Sequence, residues 1–262
     1  MTVDAAPLLL FNVDDGIASI TLNRPEKRNA LSRGLVEALH NVFQEIENRE
    51  DIRAVLLTGA GEAFSAGADL AALKQLQSAT YQENLEDSQA LAAMFQQVYR
   101  CSKPVIGAIN GHAIAGGCGL ATLCDITIAA DTARFGYTET RIGFVPALVS
   151  RFVLAKIGET QARRLLLSGI LIDAQEAAKI GLVTECVPEH AFQGRVDWWC
   201  EVFRHQVSPQ AVSRTLEVLR EVPAKNWNDA LRYAAEVNAR ARGTEDCKKG
   251  IAAFLNKEPI RW

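Results

Sequence analysis

Two stretches of this chain combine few side chains with a surplus of backbone donors. Residues 111–125, GHAIAGGCGLATLCD, set Gly116-Gly117 between two apolar runs, and Gly119 again adds no side chain. A strand over Val105–Ile109 leads into this turn and a helix leads out of it. The first N–H groups of a helix have no internal partner and carry partial positive charge. Glycine lets a ligand oxygen approach such a backbone closely. Residues 63–70, AFSAGADL, form a second small-residue turn after a buried strand. One N–H from each turn, those of Ala68 and Gly116, can converge on a single carbonyl oxygen. Two such donors stabilise an enolate or a tetrahedral intermediate, and removing one costs about 3–4 kcal/mol in acyl-transfer sites. The same glycines also suit close helix–strand packing and tight turns, so both readings stand on these residues alone.

Other chemistries fit less well. Gly59-Ala60-Gly61 opens like a dinucleotide fingerprint, but Phe64 stands where the third small residue belongs. Gly117-Cys118-Gly119 fails in the same way, with Thr122 in the third place. Phe64-Ser65-Ala66-Gly67 looks like part of a serine-hydrolase elbow, with Ala63 replacing its first glycine. Six cysteines form no C-x-x-C pair and four histidines are scattered, which argues against zinc. Most of the cysteines lie in apolar runs and read as buried thiols in a reducing compartment. His112 reads as a packed, hydrogen-bonded histidine rather than a base, and Trp198-Trp199 as helix packing or a subunit contact.

The elements that must position the two turns alternate along the chain. Leu8–Val13 and Ile17–Leu22 flank Asp14-Asp15-Gly16, a hairpin signal. Ser32 caps a helix whose apolar face is Leu35, Leu39, Val42, Phe43 and Ile46. Strands follow over Ala54–Thr58, Pro104–Ile109 and Ile126–Ala130, with a helix within 82–100. This is the rhythm of βαβ units and predicts parallel pairing. Beyond about residue 150 the pattern is helical. Asp173 with Glu176 begins one helix and Gly181 ends it. Ser208-Pro209 begins another, and Thr244 precedes a last helix to about Asn256.

With 262 residues, 48% hydrophobic and 23% charged, the chain can bury a full core as one large domain or two smaller ones. A net charge of −3 offers no basic field for nucleic acid, so an anionic ligand needs a local cluster of positive groups. The start, MTVDAAPLLLF, lacks the basic region of a signal or transit peptide. No apolar run approaches the ~20 residues of a membrane span. The expectation is a cytoplasmic protein.

The two turns, taken in order, resemble those of the crotonase family, the enoyl-CoA hydratase/isomerase group. The resemblance runs over nearly the whole chain. NRPEKRNAL (23–31) is similar to the family's early segment. FSAGAD and NGHAIAGGCGLATLCDITIAADTARFG (110–136) are similar to its two oxyanion turns, and SGILIDAQEAAKIGLVTECVP (168–188) to its downstream helix and strand. The resemblance implies an α/β fold, a crotonase-like spiral of ββα turns. A core over 1–200 would bear the CoA-binding and oxyanion turns, and a C-terminal helical region over 201–262 would mediate trimers, often paired into hexamers. It implies an acyl-CoA substrate, with coenzyme A as part of that substrate and no metal or redox cofactor.

Catalytic positions also follow from the resemblance. Ala68 and Gly116 match the donors to the thioester oxygen. Hydratases of the family usually carry two glutamates; here Gly119 stands at the first place and Glu139, in FGYTETRIG, at the second. A single carboxylate can still shift a double bond, or serve alone in water addition. Without the family, Glu139 reads as a surface glutamate paired with Arg141; with it, as the acid/base group, whose pKa burial should raise. Tyr137 beside it is a weaker candidate. Lys27, Arg28 and Ala30 stand where relatives bring basic groups and backbone carbonyls near the nucleotide. Ala66, Asp69 and Leu70 match the turn lining its adenine side. Phe254 and Lys257 match residues that reach a neighbouring subunit's CoA, although Phe254 also reads as a core residue. The segment Val145-Pro146-Ala147-Leu148-Val149-Ser150 replaces a glycine-rich turn and would reshape the acyl pocket. Other outcomes are a non-catalytic acyl-CoA-binding relative, or a decarboxylase or thioester hydrolase.

Overall fold

A computed structural model of the chain describes residues 6–262. The first hairpin pairs β1 (Leu9–Asp14) with β2 (Ile17–Leu22) through a two-residue turn. Asp15 and Gly16 both take left-handed backbone, φ 43° and 79°, as a turn matching the strand twist requires. Helix α1 (Arg33–Glu47) follows, with the Ser32 side chain accepting from the Leu35 N–H. It buries Leu35, Leu39, Phe43 and Ile46, each contributing about 2 kcal/mol as apolar surface leaves water.

The chain then repeats one unit: a strand in a large sheet, a short strand in a small sheet, and a helix. The first unit is β3 (Ala54–Gly59), β4 (Ala63–Ser65), then α2 (Leu70–Leu76) and α3 (Tyr81–Arg100). Next come β5 (Val105–Ile109), β6 (His112–Ile114) and α4 (Gly116–Leu123). The third is β7 (Ile126–Ala130), β8 (Arg134–Gly136) and α5 (Ala147–Ser168), the last broken at Gly158. This is the ββα spiral. Then follow β9 (Ile172–Asp173), α6 (Ala174–Lys179) and β10 (Glu185–Val187). The chain closes with α7 (Glu189–Glu201), α8 (Pro209–Glu221), α9 (Trp227–Arg242) and α10 (Glu245–Asn256).

The large sheet has the order β1-β2-β3-β5-β7-β10, parallel except for the opening hairpin. Its central strands read AVLLTG, VIGAI and ITIAA. Such continuous apolar runs suit strands covered on both faces. One face contributes Leu57, Val105 and Ile109 to the main core with α1 and α3. The other packs Ala54, Ile106 and Ile128 on Val196 and Cys200 of α7. The small sheet has the order β4-β6-β8-β9. The C-terminal helices are tied back to the core: Arg53 donates to the carbonyls of Arg204 and Trp262, and Arg220 of α8 pairs with Asp125. Among the described residues no helix is long and apolar enough to cross a membrane.

Candidate active site

Three short parallel strands converge on one edge of the small sheet. Strand β6 pairs in parallel with β4 on one side and with β8 on the other. Their C-terminal ends therefore emerge side by side, at about 4.8 Å between neighbours. The chain leaving β4 is the Ala66–Asp69 turn, the chain leaving β6 runs through Ala115 into α4, and the chain leaving β8 runs through Tyr137 to Glu139. Residues separated by 71 positions are thus brought to one sheet edge, the place where open α/β sheets present ligands.

The first turn is held by polar contacts with the 24–31 segment. Leu31 N–H donates to Gly67 O at 2.6 Å and Asp69 N–H to Leu31 O at 3.4 Å. In this parallel bridge Ala68 faces Leu31, and its own N–H points away from that partner. Ala66 N–H donates to Arg28 O at 2.9 Å. Asn29, fully buried and at φ 54°, ties the segment down. Its amide donates to Ala60 O and Ala63 O, and its oxygen accepts from Arg24 N–H. Arg24 in turn pairs with Asp69 at 2.8 Å and donates to Ala30 O. The Ser65 hydroxyl donates to Asn29 O and accepts from Gly67 N–H. That hydroxyl is buried and committed to the turn, which removes the serine-nucleophile reading.

The second turn is held by close packing. Ala115 adopts φ 49°, ψ −123°, a strained conformation for a residue with a side chain. Its N–H is fixed on Gly136 O at 2.7 Å, and its carbonyl accepts from Gly119 N–H at 2.9 Å. A Cβ on Gly117 would run into the Ser65 carbonyl and lie 2.7 Å from its Oγ, so the glycine lets α4 lie against β4. A Cβ on Gly67, at φ 84°, would stand 3.3 Å from the Gly116 nitrogen. The two turns are therefore in contact. Among the described residues, no backbone carbonyl takes the hydrogen of either Ala68 or Gly116.

Glu139 begins a 3-10 turn, Glu139–Ile142, at the third strand end. Its Oε2 is buried and has no hydrogen-bond partner among the described residues. Desolvation raises its pKa, opposed only by its own backbone N–H. No ion pair with Arg141 offsets that burial. Tyr137 is fully buried with its hydroxyl on Thr122 Oγ1 at 2.6 Å, and burial lifts its pKa well above the usual phenol range. It is a core group beneath the site. His112 is exposed.

The place at Gly119 is closed. A Cβ on Gly119 would strike Val149 Cγ1 and lie 3.3 Å from Phe95 Cζ. Val149 belongs to the first turn of α5, so the segment that replaces the family's glycine-rich turn is helix from Ala147 onward. A side chain at position 119 has no room, and apolar carbon fills its place.

A family model described as enoyl-CoA hydratase/isomerase matches residues 12–262. The chain belongs to the enoyl-CoA hydratase/isomerase family. A Thermus thermophilus protein named "Putative enoyl-CoA hydratase" is 41% identical over 257 residues, covering 97% of this chain and 100% of that one. A short-chain-enoyl-CoA hydratase of Clostridium acetobutylicum is 33% identical over 260 residues, 96% of both chains. The crystal structure of an enoyl-CoA hydratase/isomerase from Marinobacter aquaeolei superposes with a TM-score of 0.90 at 37% identity, covering 97% of this chain and 98% of that one. The chain is thus an acyl-CoA-processing enzyme of the hydratase/isomerase family, and its mixed α/β spiral is the crotonase fold.

The remaining residues matched to the family are placed as follows. Lys27 and Arg28 are exposed in the 24–31 segment, beside the first turn. The carbonyls of Lys27, Arg28 and Ala30 already accept from Ala30 N–H, Ala66 N–H and Arg24. The Asp69 carboxylate is turned inward to Arg24. Leu70 opens α2, and its side chain lies outside the described residues. Phe254 on α10 is 82% exposed, which removes its reading as a core residue. Lys257 follows as the left-handed C-cap of the same helix. Asn29 and Arg24, which shape the first turn, were not singled out from the sequence. The available signal was Pro25 opening a turn that ends on an asparagine, a residue that tolerates left-handed backbone.

Proposed function

We propose that the chain adds water across the double bond of a 2-enoyl-CoA thioester, with Glu139 as its one acid/base group. The observation that carries this reading is the buried, unpartnered Oε2 of Glu139 on the same sheet edge as two free amides. Ala68 and Gly116 N–H hold the thioester oxygen. The Glu139 carboxylate takes a proton from water as the water oxygen bonds to C3. The electron pair of the double bond moves to C2 and onto the thioester oxygen, forming an enolate that the two amides stabilise. Glu139 then returns the proton to C2, so the net change is addition of one water. Its raised pKa suits both halves of that transfer.

A second reading rests on the closed place at Gly119. With Val149 and Phe95 opposite, a 3-enoyl-CoA could lose a proton from C2 to Glu139 and regain it at C4, which moves the double bond into conjugation. Neither course needs a metal or a redox cofactor.

Lys27 and Arg28 would meet the CoA phosphates, with Ala30, Ala66, Asp69 and Leu70 shaping the nucleotide side. In a trimer or a dimer of trimers, Phe254 and Lys257 would reach a neighbouring subunit's CoA; the exposure of Phe254 beside Leu255 and Ile251 supports a covered surface there. Six unpaired cysteines favour a reducing, cytoplasmic setting.

The test is absorbance of the conjugated thioester. Loss on crotonyl-CoA indicates hydration, and gain on 3-hexenoyl-CoA indicates isomerisation. CoA binding with neither signal would contradict both, leaving a binding protein, a decarboxylase or a thioester hydrolase.

A further inference from the structure

Helix α4 has no charged residue of its own, GGCGLATL, yet its C-terminal end is held by one. The last carbonyls of a helix need outside donors. Cys124 N–H donates to Ala121 O at 3.3 Å, and the Cys124 thiol lies 3.7 Å from Leu120 O. The ammonium of Lys156, from the first half of α5, donates to Thr122 O at 2.9 Å and to Cys124 O at 2.7 Å. Desolvation lowers the Lys156 pKa, while Cys124, Asp125 and Cys118 pull it upward. Asp125 itself accepts from Val105 N–H at 2.8 Å and pairs with Arg220 at 3.4 Å. An enclosed lysine is costly, and a well-packed apolar side chain often serves stability as well or better. This lysine sits on the negative end of the helix dipole, where a cation is favoured. At the other end, about 12 Å along an eight-residue helix, is the Gly116 N–H.

We propose that Lys156 is a positioning residue for the Gly116 donor: through α4 it seats the helix along its axis and neutralises its negative end, so that the amide meets an enolate oxygen with its full positive charge. This rests on the enolate chemistry described above. The packing of α4 is set further along the helix by Gly117 against Ser65 and by Gly119 against Val149 and Phe95, while Thr122 Oγ1 meets the Tyr137 hydroxyl. Lys156 therefore acts at the helix end more than on its packing.

The probe is acetoacetyl-CoA, a 1,3-dicarbonyl thioester whose enolate absorbs in the near ultraviolet. The parent protein should bind it and ionise it at a pH below that of the free ligand. In Lys156→Met the bound ligand should ionise about one pH unit higher, a tenfold change or about 1.4 kcal/mol. On the enoyl-CoA that the parent converts, kcat should fall about tenfold with KM within twofold, and Lys156→Arg should recover most of the loss. If Lys156→Met does not fold, Lys156→Gln keeps amide hydrogens for the carbonyls, drops the charge, and carries the same expectation. A folded neutral variant with parent-like ionisation and kcat overturns this inference alone. A parent that binds acetoacetyl-CoA without promoting its ionisation overturns the enolate reading, and this inference with it.

Discussion

The turn that carries Ala68 and the turn that carries Gly116 share one feature, a backbone N–H that no carbonyl takes among the described residues, but they are built from different physics. The first is fixed by a polar network reaching back to the 24–31 segment: Asn29, the Ser65 hydroxyl and the part-buried Arg24–Asp69 pair. The second is fixed by steric fit, with Gly117 against β4, a strained Ala115, and α4 buried along nearly its whole length. Hydrogen bonds can hold a turn whose side chains face partly outward. A turn leading straight into a buried helix has little room for side-chain bonds, so glycine and backbone strain do that work. The first turn should thus be sensitive to loss of charge and the second to added volume.

The largest effect is expected at Glu139, the proposed acid/base group. Glu139→Gln should lower kcat by about 10²–10⁴-fold with KM little changed. Burial raises the pKa of this carboxyl in the folded chain. Parent stability should therefore drop as pH rises from the ordinary glutamate range through the raised value, and stay lower above it. Thermal unfolding should find Glu139→Gln more stable than the parent at neutral pH and equal to it below pH ~4. A variant that is never more stable would mean that the carboxylate is satisfied.

Next, Gly117→Ala puts a methyl into the Ser65 carbonyl and should cost about 3 kcal/mol by denaturant unfolding. Because α4 must shift, kcat should fall about 10²-fold as well. In the first turn, Arg24→Met removes the part-buried ion pair with Asp69 and the hydrogen bond to Ala30 O, at an expected cost of about 2 kcal/mol. KM for the enoyl-CoA should rise more than kcat falls, since the 24–31 segment borders the proposed nucleotide side. A loss of kcat alone would break the distinction between the two turns. The smallest effect is Ala115→Gly, which relieves the positive φ and should stabilise the fold by about 1 kcal/mol, with activity retained.

The long elements were legible in the sequence because each carries its own period and cap: α1 behind Ser32, α6 behind Asp173, α8 behind Ser208-Pro209, α10 behind Thr244. The two amide turns were legible as small-residue breaks after apolar strands. What places them together was not. Strands β4, β6 and β8 are three residues each, AFS, HAI and RFG, too short for an alternation to register. Without that small sheet, Glu139 reads as a surface residue, and only the resemblance drew it to the site. Val149 against Gly119 was likewise out of reach, because it depends on how the helix that begins after Pro146 packs on α4. Lys156 left a signal in retrospect, a lysine inside the apolar run FVLAKI.

The central claim is that both amides grip one thioester oxygen. It is tested most directly by the infrared carbonyl stretch of 13C-labelled crotonyl-CoA bound to Glu139→Gln, where the substrate stays unreacted. Two hydrogen bonds should draw electron density to the oxygen and move the band to lower frequency than in water, with Gly117→Ala in the same background reversing much of the shift. A bound carbonyl that absorbs at its solution frequency would contradict the account.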